Sequence, residues 1–321
     1  MNKKESILIT GATGFVGSAL VHRLVDEGKS LILIARNSSP ATYPNCVSSS
    51  FEISPESDLR SVLRAVGVVI HLAARVHVMN DKSADALAEY RRDNLESTIN
   101  LARQSAASGV KRFIFMSSVK VNGEFTSGDA TFSAEDIPKP EDPYGVSKLE
   151  AEIALKKLAE ETGMEVVIIR SPLVYGPKVK ANFLSMMKWL QKGLPLPFGC
   201  IHNSRSLVGL DNLVDLIVTC LDHPKAANQI FMVSDGHDVS TSILLRETSA
   251  ALGRKANLIC IPPSLLRMVF FLIGKKSFSQ RLIGSLRVDI SKTKELLNWH
   301  PPVSFEEGIR QTAKDFLSQL D

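Results

Sequence analysis

Tyr144 and Lys148 stand four residues apart in Tyr144-Gly145-Val146-Ser147-Lys148, a spacing that puts both side chains on one face of a helix. A phenol with a pKa of about 10 is a poor base at neutral pH, but a neighbouring ammonium stabilises its phenolate. Such a pair exchanges a proton with a sugar hydroxyl or carbonyl while hydride moves to or from a nicotinamide. Ser117-Ser118, directly after the apolar run Phe113 to Met116, supplies a third group. Strand C-termini in parallel sheets face the ligand crevice, so a hydroxyl there holds the reacting oxygen beside the tyrosine.

A second constellation lies at the start of the chain. Gly11-Ala12-Thr13-Gly14-Phe15-Val16-Gly17 follows the apolar run Ile7-Leu8-Ile9 and opens an amphipathic stretch. One glycine allows the tight turn, another lets backbone approach a pyrophosphate, and the last packs helix on strand. The helix N-terminus then presents free N–H groups and a positive dipole end to phosphates. The next apolar run ends at Ala35-Arg36-Asn37. A carboxylate there would bind the adenosine ribose of NAD; an arginine pairs with a 2′-phosphate, so Arg36 predicts NADP over NAD. Glu52 is a weaker candidate for a place near the adenine.

These residues need a scaffold that brings strand ends together. Besides the runs already named, Leu31 to Ile34, Val68 to Leu72 and Val166 to Ile169 are continuously apolar. Strands buried on both faces of a parallel sheet read this way. Helical patterns separate them at Phe15 to Glu27, Ser83 to Ser108 and Tyr144 to Thr162. The alternation predicts an α/β fold, a doubly wound parallel sheet, with a smaller α/β C-terminal substrate-binding region where prolines break the rhythm. The dinucleotide-binding part is expected over 1–177, with 205–235 returning to it, and the substrate-binding part mainly over 178–321, interleaved with it.

Composition narrows the classes. The chain has 321 residues, enough for two domains or one large one at about 150 residues each. Its 38 basic and 34 acidic residues leave a net charge of +4, with no clustered basic stripe to suggest nucleic acid. Cys46, Cys200, Cys220 and Cys260 lie far apart and read as reduced thiols of a cytoplasmic protein. No histidine arrangement suggests a metal site. The polar Met1 to Glu5 start lacks the form of a secretory signal, and no stretch reaches the ~20 apolar residues of a membrane span. The most apolar segment, Leu265 to Gly274, is interrupted by Arg267 and followed by Lys275 and Lys276. It is read as a core or interface helix in preference to one lying on a membrane surface.

Taken together, Gly11/Gly14/Gly17, Val69-Ile70-His71-Leu72-Ala73-Ala74, Asn94, Ser118, Tyr144/Lys148 and Arg170-Ser171-Pro172-Leu173-Val174-Tyr175-Gly176-Pro177 resemble the extended short-chain dehydrogenase/reductase family. The likeness is to its nucleotide-sugar epimerases and reductases, and it runs from the first strand to about Trp299. It accounts for the GxxGxxG spacing. It implies Ser118, Tyr144 and Lys148 as the catalytic triad; Ser118 is preferred to Ser117 because it lies five residues before Gly123. Asn122 stands where the family usually has a tyrosine.

The resemblance further implies a cofactor site of Gly11, Thr13, Gly14, Phe15, Val16, Gly17, Arg36, Leu72, Ala73, Ala74, Asn94, Tyr144, Lys148, Pro172 and Leu173. On the substrate side it points to Asn182, to Arg205 as a grip on the diphosphate of a UDP-sugar, and to Lys120 and Arg281, with Arg287 a further candidate. A homodimer built on the Tyr144/Lys148 helix and its neighbour is also implied.

Three chemistries share the triad. A 4,6-dehydratase needs an Asp-Glu pair after the serine/threonine position, where this chain has Val119 and Lys120. Of the remaining two, Arg36 tips the expectation toward an NADPH-dependent reductase of a UDP-4-keto-6-deoxy-N-acetylhexosamine. A UDP-glucose or UDP-N-acetylglucosamine 4-epimerase with retained NAD is the alternative. A non-catalytic regulator is a third reading, and the intact triad argues against it.

Overall fold

The structure is a computed structural model and describes residues 6–36, 43–76, 85–274 and 276–320. Met1 to Glu5, Asn37, the expected helix start at Ser83 and Lys275 lie outside them. In chain order the first part comprises β1 (Ser6–Thr10), α1 (Phe15–Asp26), β2 (Leu31–Ala35), β3 (Cys46–Ser50), α2 (Arg60–Leu63), β4 (Val66–His71), α3 (Ala86–Arg91) and α4 (Ser97–Ala107). Then come β5 (Arg112–Ser118), α5 (Pro143–Thr162), β6 (Glu165–Ser171), β7 (Leu173–Tyr175), α6 (Ala181–Gln191), β8 (Arg205–Gly209) and α7 (Leu210–Thr219). The rest is β9 (Ile230–Met232), β10 (Asp238–Val239), α8 (Thr241–Ala251), α9 (Pro263–Leu272), α10 (Lys276–Ile283), α11 (Ser291–Leu297) and α12 (Phe305–Ser318).

Seven strands form one sheet in the order β3-β2-β1-β4-β5-β6-β9, and every pairing in it is parallel. The order reverses at β1, where β2 lies on one side and β4 on the other, so the crevice above β1 and β4 is the switch point. The five apolar runs became β1, β2, β4, β5 and β6. Their side chains, among them Leu8, Ile9, Val69, Ile70, Phe113 and Ile169, are fully buried under helices on both faces. β3 is different: its sequence Cys-Val-Ser-Ser-Ser has no apolar run, and it pairs in register with β2 at the sheet edge.

A second, three-stranded sheet, β10-β8-β7, anchors a separate core of Tyr175, Phe183, Met187, Leu207, Phe305 and Ile309 with their neighbours. The chain crosses between the two. Within 205–235, β8 belongs to the small sheet, whereas β9 pairs with β6 at the edge of the large one.

Two expectations about the later part need correcting. Cys200 and Cys260 are not reduced thiols: they are disulfide-bonded, with Cα atoms 4.9 Å apart, while Cys46 and Cys220 are free. The two segments run side by side, Gly199 N–H donating to Ile259 C=O at 2.9 Å and Ile259 N–H to Leu196 C=O at 2.8 Å. That pairing places the cysteines next to each other, sixty residues apart in sequence. Of the two places expected for the apolar segment around α9, core or interface, the structure rules out the core, since Leu266 is its only buried residue. No helix among the described residues is long and apolar enough to cross a membrane.

Candidate active site

The glycine loop takes its shape from two close approaches. Gly11 has φ +69°, and a Cβ there would lie 2.8 Å from the Ala73 nitrogen at the end of β4. At Gly17 a Cβ would come within 2.1 Å of the Gly11 carbonyl oxygen, so only glycine lets α1 pack this tightly on the loop. Gly14 is the N-cap of α1 and no side chain caps the first turn, which leaves its N–H groups for a ligand. This cradle fits a dinucleotide pyrophosphate.

Beside it opens a cleft of about 330 Å³ lined by Thr10, Gly11, Thr13, Gly14, residues 34–36, 51–53 and 71–75, Asp93 and Ser97. Thr13 is exposed, Phe15 and Val16 are half-buried, and Leu72 to Ala74 form the cleft wall. Thr10 Oγ1 accepts from Ala73 N–H at 3.2 Å and pairs with His71 Nδ1 at 2.7 Å, while His71 Nε2 meets Thr98 Oγ1 at 2.9 Å. Burial first, then the charge of Lys148, pushes His71 down to about 3, so it is neutral at physiological pH. Asn94 sits on a π-helical turn, Arg92–Glu96, between α3 and α4. Its amide is committed to protein: Oδ1 accepts from Arg75 N–H, and Nδ2 donates to Arg75 C=O and Ser147 Oγ.

Tyr144 and Lys148 lie on the first two turns of α5, whose N-cap Asp142 accepts from Gly145 N–H at 2.7 Å. Ser118, the last residue of β5, stands close enough to the Tyr144 hydroxyl to lower its pKa. Tyr90 packs edge-on against the Tyr144 ring at 6.1 Å between centroids. The three residues expected to act together are thus brought together.

Their electrostatics differ from expectation in one respect. Burial, followed by the Asp142 carboxylate, raises the Tyr144 pKa above its ordinary value; only the nearby Ser118 hydroxyl pulls it down. The phenol is therefore held protonated rather than poised as phenolate. Lys148 is pushed down to about 7 by burial, with Glu152 opposing. Its Nζ donates to Met116 C=O at 2.9 Å and lies 6.0 Å from the Tyr144 ring centroid, over the face of Phe115.

Beneath the triad runs a buried polar network. Glu152, one turn after Lys148, makes a two-point ion pair with Arg170 at 3.0 and 2.6 Å and accepts from Ser117 Oγ at 2.5 Å. Arg170 also donates to Asn122 Oδ1 at 3.0 Å, and Asn122 Nδ2 donates to Ser133 C=O at 2.8 Å. Asn122 thus ties the loop after β5 to the network. Glu152 was missed by sequence reasoning; an acid one turn beyond Lys148 on the same face is the signal that could have found it.

Pro172 is buried and Leu173 half-exposed just after β6. On the other side, Lys120 is held between the carboxylates of Glu124, at 2.7 Å, and Asp142. Arg205 sits close enough to Arg281 and Glu124 to feel both charges; burial and then Arg281 lower its pKa, and Glu124 opposes them. Its guanidinium also donates to Gly284 C=O at 3.1 Å. Lys120, Arg205 and Arg281 therefore share one neighbourhood. Arg287 is engaged with Asp238 at 2.8 Å, and Asn182 stands exposed on the first turn of α6. Among the described residues no cluster of three or more His, Cys, Asp or Glu could hold a metal ion.

A doubly wound sheet with this glycine loop and a Tyr/Lys helix beside a strand-end serine defines an enzyme of the extended short-chain dehydrogenase/reductase class. Within it, the chain belongs to the NAD dependent epimerase/dehydratase family, whose model matches residues 7–234. A UDP-glucose 4-epimerase of Vibrio cholerae is 50% identical over 314 residues, covering 98% of this chain and 96% of the relative. The crystal structure of Thermotoga maritima UDP-glucose 4-epimerase with UDP-glucose superposes with a TM-score of 0.80 at 25% identity, covering 98% and 100% of the two chains. A UDP-glucuronic acid 4-epimerase from Bacillus cereus in complex with NAD shares the fold, with TM-score 0.78, 22% identity and coverage of 98% and 100%.

These findings correct the cofactor expectation. The family is NAD dependent and the close relative is an epimerase, so NAD replaces NADP, and the reductase reading that rested on Arg36 loses its support. The structure supplies the physical reason. Arg36 is two-thirds exposed and its guanidinium lies 3.7 Å from the Glu52 carboxylate. A 2′-phosphate there would meet that carboxylate as well as the arginine.

Proposed function

We propose that this protein is an NAD-dependent 4-epimerase of a UDP-hexose or UDP-N-acetylhexosamine. The observation that carries the reading is the 50% identity to the Vibrio cholerae UDP-glucose 4-epimerase along almost the whole chain. Bound NAD supplies the chemistry of taking hydride from sugar C4 and returning it to the opposite face. The chain's own groups manage the oxygen. Tyr144, beside Ser118, exchanges the C4 hydroxyl proton at its Oη, and Ser118 Oγ holds the reacting oxygen next to it. A hydroxyl donor with a raised pKa suits the return half, in which the ketone oxygen must be protonated. In the forward half the ammonium form of Lys148 lowers the cost of the phenolate.

On the substrate side, the neighbouring guanidiniums of Arg205 and Arg281 repel one another, and a diphosphate between them relieves that repulsion. Residues 1–177 accordingly bind the dinucleotide and the greater part of 178–321 the sugar nucleotide. The half-buried Leu149 and the exposed Ile153 of α5 give a homodimer a surface to pair on.

The test is incubation of purified protein with UDP-glucose and, separately, UDP-N-acetylglucosamine in the presence of NAD, followed by proton NMR of the sugar. Appearance of the C4 epimer without net NADH accumulation is the expected result. Absence of epimer from both substrates overturns the reading.

A further inference from the structure

One apolar surface among the described residues is far from being covered. On α9 and the residue after it, Leu265, Met268, Val269, Phe271, Leu272 and Ile273 are all 44–74% exposed, while Leu266 alone is buried. Phe270, half-buried, packs with Leu266 against the second core. The helix is thus pinned by one narrow edge and shows the rest of its circumference to solvent. Scattered exposed apolar residues are ordinary; six within nine positions mark an interaction surface.

Charge decides what that surface meets. Between Glu247 and Asp289 the sequence has no acidic residue, yet it carries Arg254, Lys255, Arg267, Lys275 and Lys276. Arg254, Lys255 and Arg267 are exposed. The net charge of the whole chain is only +4, so positive charge is concentrated here. A symmetric pairing of two copies through α9 would set these cations against themselves. An anionic lipid surface receives both features at once, apolar side chains among the acyl chains and cations at the headgroups. The helix has 10 residues, about 15 Å in length, too short to span a bilayer of ~30 Å hydrocarbon and suited to lying in its surface.

We propose that α9 is a membrane-surface helix that docks this enzyme reversibly on anionic phospholipid. α10, which carries Arg281, packs against α9, so docking holds the substrate-side arginines beside the bilayer. Single weak anchors bind marginally, and stable docking takes an apolar and an electrostatic component together.

The experiment is sedimentation of the full chain with vesicles made of equal parts phosphatidylglycerol and phosphatidylcholine, and with vesicles of phosphatidylcholine alone. Expected is co-sedimentation with the anionic vesicles only, weakened by salt. The double substitution Phe271→Glu/Leu272→Glu is expected to lower the bound fraction at least about tenfold, and Arg267→Ala about fivefold. Both variants, altered only at exposed positions, are expected to keep the wild-type thermal midpoint and epimerase turnover. Wild-type protein left in the supernatant of anionic vesicles overturns the proposal, as does equal binding to both vesicle types. Analytical ultracentrifugation showing an assembly that Phe271→Glu/Leu272→Glu dissolves, without vesicle binding, assigns the surface to a second copy instead and equally overturns it.

Discussion

The crevice has two ends built on opposite principles. At the Tyr144 end the charged groups beneath the phenol are buried and held in fixed contacts. Glu152 and Arg170 hold each other, Lys148 is anchored to Met116 C=O, and His71 is kept neutral between two threonines. At the adenosine end, Arg36 and Glu52 both stand two-thirds exposed and meet loosely at 3.7 Å. Burial makes the first end preorganised and costly to disturb, because a charge deprived of its partner there has no water to fall back on. Solvent makes the second end tolerant, since an exposed ion pair contributes little.

The sharpest way to break this contrast is at the phenol. Tyr144→Phe removes one hydroxyl, and turnover is expected to fall about 10,000-fold with NAD affinity nearly unchanged. Steady-state kinetics and cofactor titration check it; turnover within tenfold of wild type would mean that the proton moves elsewhere. Next in size, Glu152→Ala leaves Arg170 charged and unpaired in the interior. About 3–5 kcal/mol of stability should be lost in denaturant titration. A loss under about 1 kcal/mol, the scale of surface pairs, would erase the distinction between the two ends.

A third measurement uses pH. Lys148 titrates at about 7 in the folded chain and at 10.5 when free, so between those values the unfolded chain binds the extra proton. His71, held near 3 against an ordinary 6.5, behaves the same way in its lower window. Stability therefore rises with pH through both windows, and acidification below them has its full destabilising effect. Lys148→Met should flatten the upper window in thermal melts; an unchanged slope would show that Lys148 is not its source. The smallest effect belongs to the open end. Arg36→Ala is expected to change NAD affinity by no more than about threefold. A loss of a hundredfold would make Arg36 a true determinant of cofactor binding.

What could be read from the residues follows the same line. Continuous apolar runs gave five strands because burial on both faces leaves no polar alternation, and the glycine loop was legible because close approach admits no other residue. β3 left no such trace: an edge strand of Cys-Val-Ser-Ser-Ser looks like a loop. Arg36 misled because Glu52 approaches it from beyond a different strand, a meeting that spacing along the chain does not encode. The Cys200–Cys260 bond depends likewise on the pairing of residues 196–199 with 257–259. For α9 the sequence pattern is the same whether a helix is covered or bare, so its exposure had to be seen.

The π turn at Arg92–Glu96 makes a crankshaft of the rod formed by α3 and α4. Each residue of an α-helix advances the side-chain direction by about 100°, so the wider turn sets the two halves out of phase. The throw before it aims Tyr90 at the Tyr144 ring. The throw after it drives Leu101, Ala102 and Ser105 into the interior, and at the bend Asn94 clamps Arg75 and Ser147. Removing a single residue from that bend would re-time the shaft. Either Tyr90 would swing away from the phenol or α4 would turn a polar flank inward, so the length of this rod is set by timing as much as by distance.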